Sequence, residues 1–470
     1  MKNADALRTL PSVEAILGDE RVAPLLSRIP RRLALMVIRS YVAGVRESLL
    51  GDNHPVSHKE IRGLSLGFDW SVMLERLERQ TRPSLRRAIN ALGVVLHTGL
   101  GRAALSKPAQ AALAEVSENF CTLAIELETG RRGERYAHVA DLLCELTGAE
   151  AAMVVNNNAA ATMLVLNTLA EGKEVIISRG QLVEIGGAFR MPDIIKRSNV
   201  VMKEVGTTNR THLKDYRSAI TPETGMLIRV HMSNYKIVGF TKEVGIADLV
   251  ALGRESNLAV VDDLGSGALI DLSKYGLPKE PMVQESLAAG ADVVCFSGDK
   301  LIGGPQSGII VGRKAMIDRM KQNPLTRTLR CGKLTYAALE ATLRMFFDEE
   351  RLVKEHAVLG ALAKSISVIE RQSNELLASL GTVGGKLKAV IEDGISEIGG
   401  GSLPGESLPT KLVVLKPKGM SAEELGRRLR LSHPAVFGRI ESDRLLLDLR
   451  TVRDDETALI VRALLAALGS

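Results

Sequence analysis

The chain has 470 residues, 45% of them apolar, 25% charged and 3% aromatic, which suggests two to four domains with sizeable cores and excludes a largely disordered chain. No apolar run approaches the ~18 residues of a membrane-spanning helix, and the four cysteines, Cys121, Cys144, Cys295 and Cys331, form no CxxC pair, so the expectation is a soluble protein of a reducing cytoplasm with neither a zinc ribbon nor a thioredoxin-like motif. Of a net charge of +6, residues 1–87 carry +5 through 15 basic and 10 acidic side chains, an excess compatible with a phosphate-rich partner such as RNA.

Residues 1–80 show helical spacing of apolar positions, from Val22 and Leu25 through Ile38, Tyr41 and Val42, punctuated by Pro11, Pro30 and Pro55. His54 and His58 have the spacing of helix ligands, but Pro55 between them argues against a helix and no third ligand is near, so no metal site is expected. From about residue 86 short β-branched runs alternate with helical stretches. The strands expected are Ala152–Val155, Glu174–Ser178, Val200–Val205, Met226–His231, Leu258–Asp262, Asp292–Ser297 and Gly308–Val311, which reads as βαβ units and a mostly parallel sheet. A long helical pattern follows from Leu334 to Ile366, then a flexible turn region at Gly399–Pro409. Beyond it lie a strand at Lys411–Leu415, a helix at Ala422–Leu429, a hairpin over residues 435–449 and a closing helix. The organisation expected is a helical domain and linker over 1–85, a large α/β domain over 86–345 and a small α+β domain over 346–470.

In open parallel sheets ligands sit beyond the carboxyl ends of strands, so polar residues that follow apolar runs are the candidates. Asn156, Asn157 and Asn158 end one strand and open a helix, whose free amides would suit a phosphate or simply take an Asn cap. Asp262 and Asp263 follow the run Leu258–Val261, and a carboxylate there could hold a metal, a ribose or a protonated heterocyclic nitrogen. The GSG that comes next is too short for a dinucleotide fingerprint. Lys300 follows a strand by three residues, with Ser297 before it and Gly303, Gly304 and Gly308 after it. A lysine hemmed in this way becomes a free amine able to form a Schiff base. Together these groups suit pyridoxal phosphate, with Ser297 adding a hydroxyl for the phosphate. Arg102, Arg327 and Arg330, in Gly- or Pro-flanked loops, could clamp a tetrahedral oxyanion if the fold brings them together. His97, His138 and His231 read as structural, with a stacking role on a cofactor ring open to one of them, and the charged run around Arg131, Arg132 and Arg135 reads as a solvated loop, with reach to the cofactor site the alternative.

The segments INALGVVLHTGLGRAALS, GRRGERYAHVADLLCELTGAEAAMVVNNNAAA, KEVGTTNRTH, VVDDLGSG, FSGDKLIGGPQSGIIVG and GRIESDRLLLDLRTV resemble the bacterial selenocysteine synthases, the L-seryl-tRNA(Sec) selenium transferases, over nearly the whole chain. The resemblance implies a fold-type-I pyridoxal phosphate transferase with an N-terminal tRNA-binding domain, assembled as a homodecamer. It implies conversion of seryl-tRNA(Sec) to selenocysteyl-tRNA(Sec) through an aminoacrylyl-tRNA intermediate, with selenophosphate as selenium donor. Lys300 would carry the cofactor, Asp263 or its neighbour Asp262 would face the pyridine nitrogen, Asp299 would assist proton transfer, and Arg102, Arg327 and Arg330 would cradle selenophosphate. Gly99 stands where the family usually has Asn, which would loosen the loop carrying Arg102. The rival readings are a fold-type-I lyase acting on a small phosphorylated amino compound, which has no need of a basic helical domain, and a non-catalytic RNA-binding relative, against which the intact Lys300 speaks.

Overall fold

The computed structural model describes Leu7 and residues 10–50, 68–186, 189–381 and 385–469, which leaves His54 and His58 outside the described residues. Two compact units result, Met1–Arg87 and Ala88–Ser470.

The first unit has four described helices, Val13–Leu17, Ala23–Leu26, Arg31–Leu50 and Trp70–Gln80, the first and last capped by the side chains of Ser12 and Asp69. Ala34, Ile38, Tyr41, Val45 and Leu49 bury one stripe of the long helix, and Met73 and Leu77 of the last helix join the same core. Asp69 caps that last helix by accepting from the Ser71 amide at 2.8 Å. The Tyr41 hydroxyl donates to Asp69 O at 3.1 Å and ties the cap to the long helix.

The described residues of the second unit form 14 strands. They are β1 Ala88–Ala91, β2 Ala151–Val155, β3 Glu174–Ser178, β4 Glu184–Ile185, β5 Phe189–Arg190, β6 Val201–Val205, β7 Thr224–Val230, β8 Ala259–Gly265, β9 Val293–Ser297, β10 Gly308–Gly312, β11 Leu387–Glu397, β12 Ser407–Pro417, β13 Ala435–Glu441 and β14 Arg444–Asp448. The main sheet runs β2-β10-β9-β8-β7-β3-β6. All its pairings are parallel except those of β10, antiparallel to both neighbours. Its central strands are mostly apolar because helices cover both faces, edge strand β6 being the most exposed, and the helix Asn158–Ala170 packs its buried residues against β2, β10, β9 and β7.

The second sheet, β1-β13-β14-β12-β11, differs from expectation at its edge: β1 lies far upstream yet pairs in parallel with β13, Ile89 opposite Val436. Four residues without clear alternation carry no strand signal by themselves, and the partner is more than 340 positions away. The helix expected from Leu334 to Ile366 is three, Lys333–Met345, Glu349–Glu355 and Ala357–Ala363. Asp348 and His356 interrupt it because their side chains accept the Arg351 and Leu359 amides, a local bond that competes with helix continuation. Among the described residues, no helix is long and apolar enough to cross a membrane.

Candidate active site

Strand phase separates the two aspartates. Successive side chains on β8 point to opposite faces. Asp262 faces Arg229, its register partner on β7, which holds it bidentately at 2.7 and 2.6 Å, and Ser286 Oγ donates a third bond at 2.6 Å. Asp263 faces the helix Asn158–Ala170, where it accepts from Asn158 Nδ2 and Thr162 Oγ1, both at 2.8 Å, and from the Gly265 amide at 3.1 Å. Asp263 opens onto a cavity of about 1330 Å³, and Asp262 does not. Burial pushes the Asp263 carboxyl up from its ordinary range, while the bonds from Asn158 and Thr162 and the Lys300 cation oppose that rise.

Lys300 projects into the same cavity from the turn after β9. That turn is fastened by Gly298 N to Ser307 O, Gly303 N to Lys300 O and Gly304 N to Gly298 O, at 2.8–2.9 Å. Lys300 is 6% exposed. Burial first, and the Arg102 cation second, hold its ammonium below the usual lysine range, while Asp263, Asp299 and Glu280 pull the other way. Arg102, at a φ of 60°, places Nη1 2.7 Å from Asp299 Oδ2. Ser297 lines the cavity beside them.

The asparagine run divides into three environments. Asn156 is exposed and lies outside the cavity, its amide donating to Leu329 O at 2.9 Å. Asn157 is the helix cap, its Oδ1 accepting the Ala160 amide. Asn158 lines the cavity and is spent on Asp263. The first amides of the helix, which have no intrahelical acceptor, point toward the cavity end. Gly308 permits this approach, since a Cβ there would stand 2.1 Å from Asn157 O.

The three arginines do not meet in this cavity. Arg102 lines it, whereas Arg327 is exposed and Arg330 bridges to Val155 outside it. Desolvation and the neighbouring cations Arg135, Arg327 and Arg132 hold Arg330 below its ordinary value; the charged run is a loop with Arg131 and Arg132 exposed, as expected, and its Arg132 and Arg135 form a second cationic cluster with Arg327 and Arg330.

Sequence reasoning missed Thr162, hidden in an apolar helix. It also took Gly399–Pro409 for a flexible turn, whereas Gly399, Gly400 and Gly401 form the cavity wall opposite Lys300. Gly401, at a φ of 77°, approaches so closely that a Cβ would lie 2.9 Å from Lys300 Nζ. Three consecutive glycines are the signal of such a backbone approach. His231 also faces the cavity. Its amide donates to Asp263 O at 2.8 Å and its ring lies 3.6 Å from buried Glu280, which accepts from Ser266 Oγ.

The arrangement fits pyridoxal phosphate. A buried amine, a carboxylate held by fixed donors and a helix N-terminus with Ser297 match the aldehyde, the ring nitrogen and the phosphate. Buried polar atoms in the wall, Arg102 Nε, Asn158 Oδ1, His231 Nε2 and Ser402 Oγ, have no hydrogen-bond partner, as expected of a surface shaped for a polar ligand.

Comparison with known proteins agrees with this geometry. Residues 88–453 match the family model described as L-seryl-tRNA selenium transferase, and residues 7–46 match that of the selenocysteine synthase N terminal. The L-seryl-tRNA(Sec) selenium transferase of Carboxydothermus hydrogenoformans is 48% identical over 454 residues, 96% of this chain and 95% of that protein. That of Geobacter sulfurreducens is 46% identical over 456 residues, covering 97% and 98%. Among solved structures, D-glucosaminate-6-phosphate ammonia-lyase superposes with a TM-score of 0.56 at 22% identity over 82% of this chain and 96% of that one, a likeness of fold. The chain belongs to the L-seryl-tRNA selenium transferase family.

Proposed function

We infer that this protein converts L-seryl-tRNA(Sec) to L-selenocysteyl-tRNA(Sec) on pyridoxal phosphate held at Lys300, with selenophosphate as the selenium donor. The observation that carries the reading is the convergence of Lys300, Asp263 and the helix start at Asn158 on one cavity in a chain of this family. Its volume, about 1330 Å³, exceeds the roughly 300–1,000 Å³ of sites for drug-sized ligands, which leaves room beside a cofactor for a seryl ester.

When bound, pyridoxal phosphate supplies an electron sink that makes the α-proton of serine acidic. Asp263 would hold the ring nitrogen in its protonated form, and the helix start at Asn158 with Ser297 would anchor the phosphate. Lys300 Nζ would hold the cofactor and would serve as the base that accepts the seryl α-proton and returns it to the α-carbon. Burial and the Arg102 cation lower its pKa, which favours the free base that this role needs. Asp299, held by Arg102, assists protonation of the departing β-hydroxyl, which leaves as water. Arg102 offers a cation to the oxyanion of selenophosphate, whose selenium adds at the β-carbon while its P–Se bond breaks, the phosphoryl group passing to water and leaving as inorganic phosphate. Arg327 and Arg330 lie outside the cavity and would serve that donor only across a subunit boundary of a homodecamer. Exposed Phe120, Ile125 and Leu127 supply apolar surface for such contacts. The basic N-terminal unit binds the tRNA, and the enzyme works in the cytoplasm.

The test is an absorbance spectrum of the purified protein titrated with seryl-tRNA(Sec) and, separately, with free serine. A cofactor band that shifts only with the charged tRNA supports the reading. A band that ignores the tRNA points to a small-molecule lyase, and no band at all to a non-catalytic relative.

A further inference from the structure

The wall facing Lys300 is the loop 398–406 between β11 and β12, and little of its own backbone holds it in place. Gly399, Gly400, Gly401, Leu403 and Gly405 all have positive φ, so no regular ladder runs through it. β14 pairs with β12 only over Leu412–Leu415, and the end of the β11–β12 hairpin that carries the loop therefore runs past its neighbour in the sheet.

Arg450 occupies that gap, 3% exposed in the turn after β14. Nε donates to Ser396 Oγ at 3.0 Å, Nη2 to Pro409 O, and Nη1 to Ala361 O and Lys364 O at 3.2 and 3.0 Å. One guanidinium thus joins both strands at the base of the loop to the segment 361–364. Asp448 completes the bracket by accepting from Ser396 Oγ at 2.6 Å and Thr410 Oγ1 at 2.9 Å. Beyond the bracket, Leu96 N donates to Ile398 O at 2.8 Å, so the same loop base also braces the segment leading to His97 and Arg102. A neutral side chain of similar volume would fill the space without joining these segments.

We propose that Arg450 is a positioning residue for the reaction, fixing the glycine loop so that Gly401 closes against Lys300 Nζ and keeps water from it. This rests on the reading of Lys300 as the cofactor lysine. The charged groups that act on Lys300 are Arg102, Asp263, Asp299 and Glu280. None of them is removed by a change at residue 450, so a shift in Lys300 titration there reports burial.

The experiment compares wild type with Arg450→Met, Arg450→Lys and Ser396→Ala, each loaded with pyridoxal phosphate, by the pH midpoint of the cofactor's absorbance, by KM and kcat with seryl-tRNA(Sec), and by melting temperature. Burial lowers the lysine's pKa, so a loosened loop raises the midpoint. Arg450→Met is expected to raise it by about one unit and to cut kcat by about tenfold or more with a smaller change in KM. Arg450→Lys recovers part of both. Ser396→Ala, which removes one contact of the bracket, moves the midpoint in the same direction and serves as the deciding variant if Arg450→Met does not fold. A wild-type band without any pH transition defeats the Lys300 reading itself. A normal wild-type transition that stays unchanged in folded Arg450→Met, or in Ser396→Ala, overturns the positioning role alone.

Discussion

Thr162→Val removes one hydroxyl from beneath the cofactor site and nearly preserves side-chain volume. Thr162 is 2% exposed, and its Oγ1 lies 2.8 Å from Asp263 Oδ2 and 2.9 Å from Asn158 O. The hydroxyl has a single proton to share between these acceptors, so the loss belongs at the low end of the ~1.5–3 kcal/mol range for a hydrogen bond to a charged group. About 1.4 kcal/mol corresponds to about tenfold in an equilibrium and to about one pKa unit. Burial already pushes Asp263 up, and losing a donor that favours the carboxylate raises it further. The carboxylate is lost as pH falls through its pKa, so the acid limb of kcat/KM moves to higher pH by about one unit. Cofactor affinity drops by about tenfold. Equilibrium dialysis of pyridoxal phosphate and a pH–rate profile measure both. A variant with wild-type affinity and an unmoved acid limb would refute the assignment of Asp263 as the ring-nitrogen partner.

Arg102→Gln removes a cation that depresses Lys300 and frees Asp299, whose carboxylate acts in the opposite direction. The midpoint of the cofactor's absorbance is expected to rise by about one unit, and an unchanged midpoint would contradict the proximity argued for these groups. Gly308→Ala sets a Cβ 2.1 Å from Asn157 O and is expected to cost about 1–3 kcal/mol of stability together with cofactor affinity, checked by denaturant titration with and without pyridoxal phosphate. A chain beginning at Ala88, the start of the second compact unit, should keep its cofactor band and lose most of its affinity for seryl-tRNA in a gel shift. The full chain should bind tRNA more weakly as salt rises from about 50 to 200 mM, and equal binding by the shortened chain would dismiss the N-terminal unit as the tRNA module.

The parts of the site legible in the sequence are those in which a polar residue directly follows a buried strand: Lys300 after β9, the aspartate pair at the end of β8, the asparagines after β2. Each is positioned by local chain direction alone. The choice between Asp262 and Asp263 needed the phase of β8 relative to its neighbours, because the partners that distinguish them, Arg229 and Thr162, lie on other elements. Thr162 carries no signal within the apolar run AAATMLVLNTL, where a threonine more often satisfies its own helix backbone. The glycine loop appeared as punctuation because a close backbone approach exists only once residues 300 and 401 are brought together. The same dependence on tertiary structure separates Arg102 from Arg327 and Arg330. Of the fold, the strand order could not be read from spacing. The antiparallel β10 and the early strand β1 in the second sheet depend on partners distant in sequence.

The central claim is selenium transfer at Lys300, and the direct measurement is conversion of radiolabelled seryl-tRNA(Sec) by the holoenzyme with selenophosphate, followed by hydrolysis of the ester and identification of the released amino acid. Wild type should release selenocysteine. Lys300→Ala, with its melting temperature preserved, should release only serine. Selenocysteine from Lys300→Ala at the wild-type rate, or only serine from a wild-type protein that binds both cofactor and charged tRNA, would contradict the account.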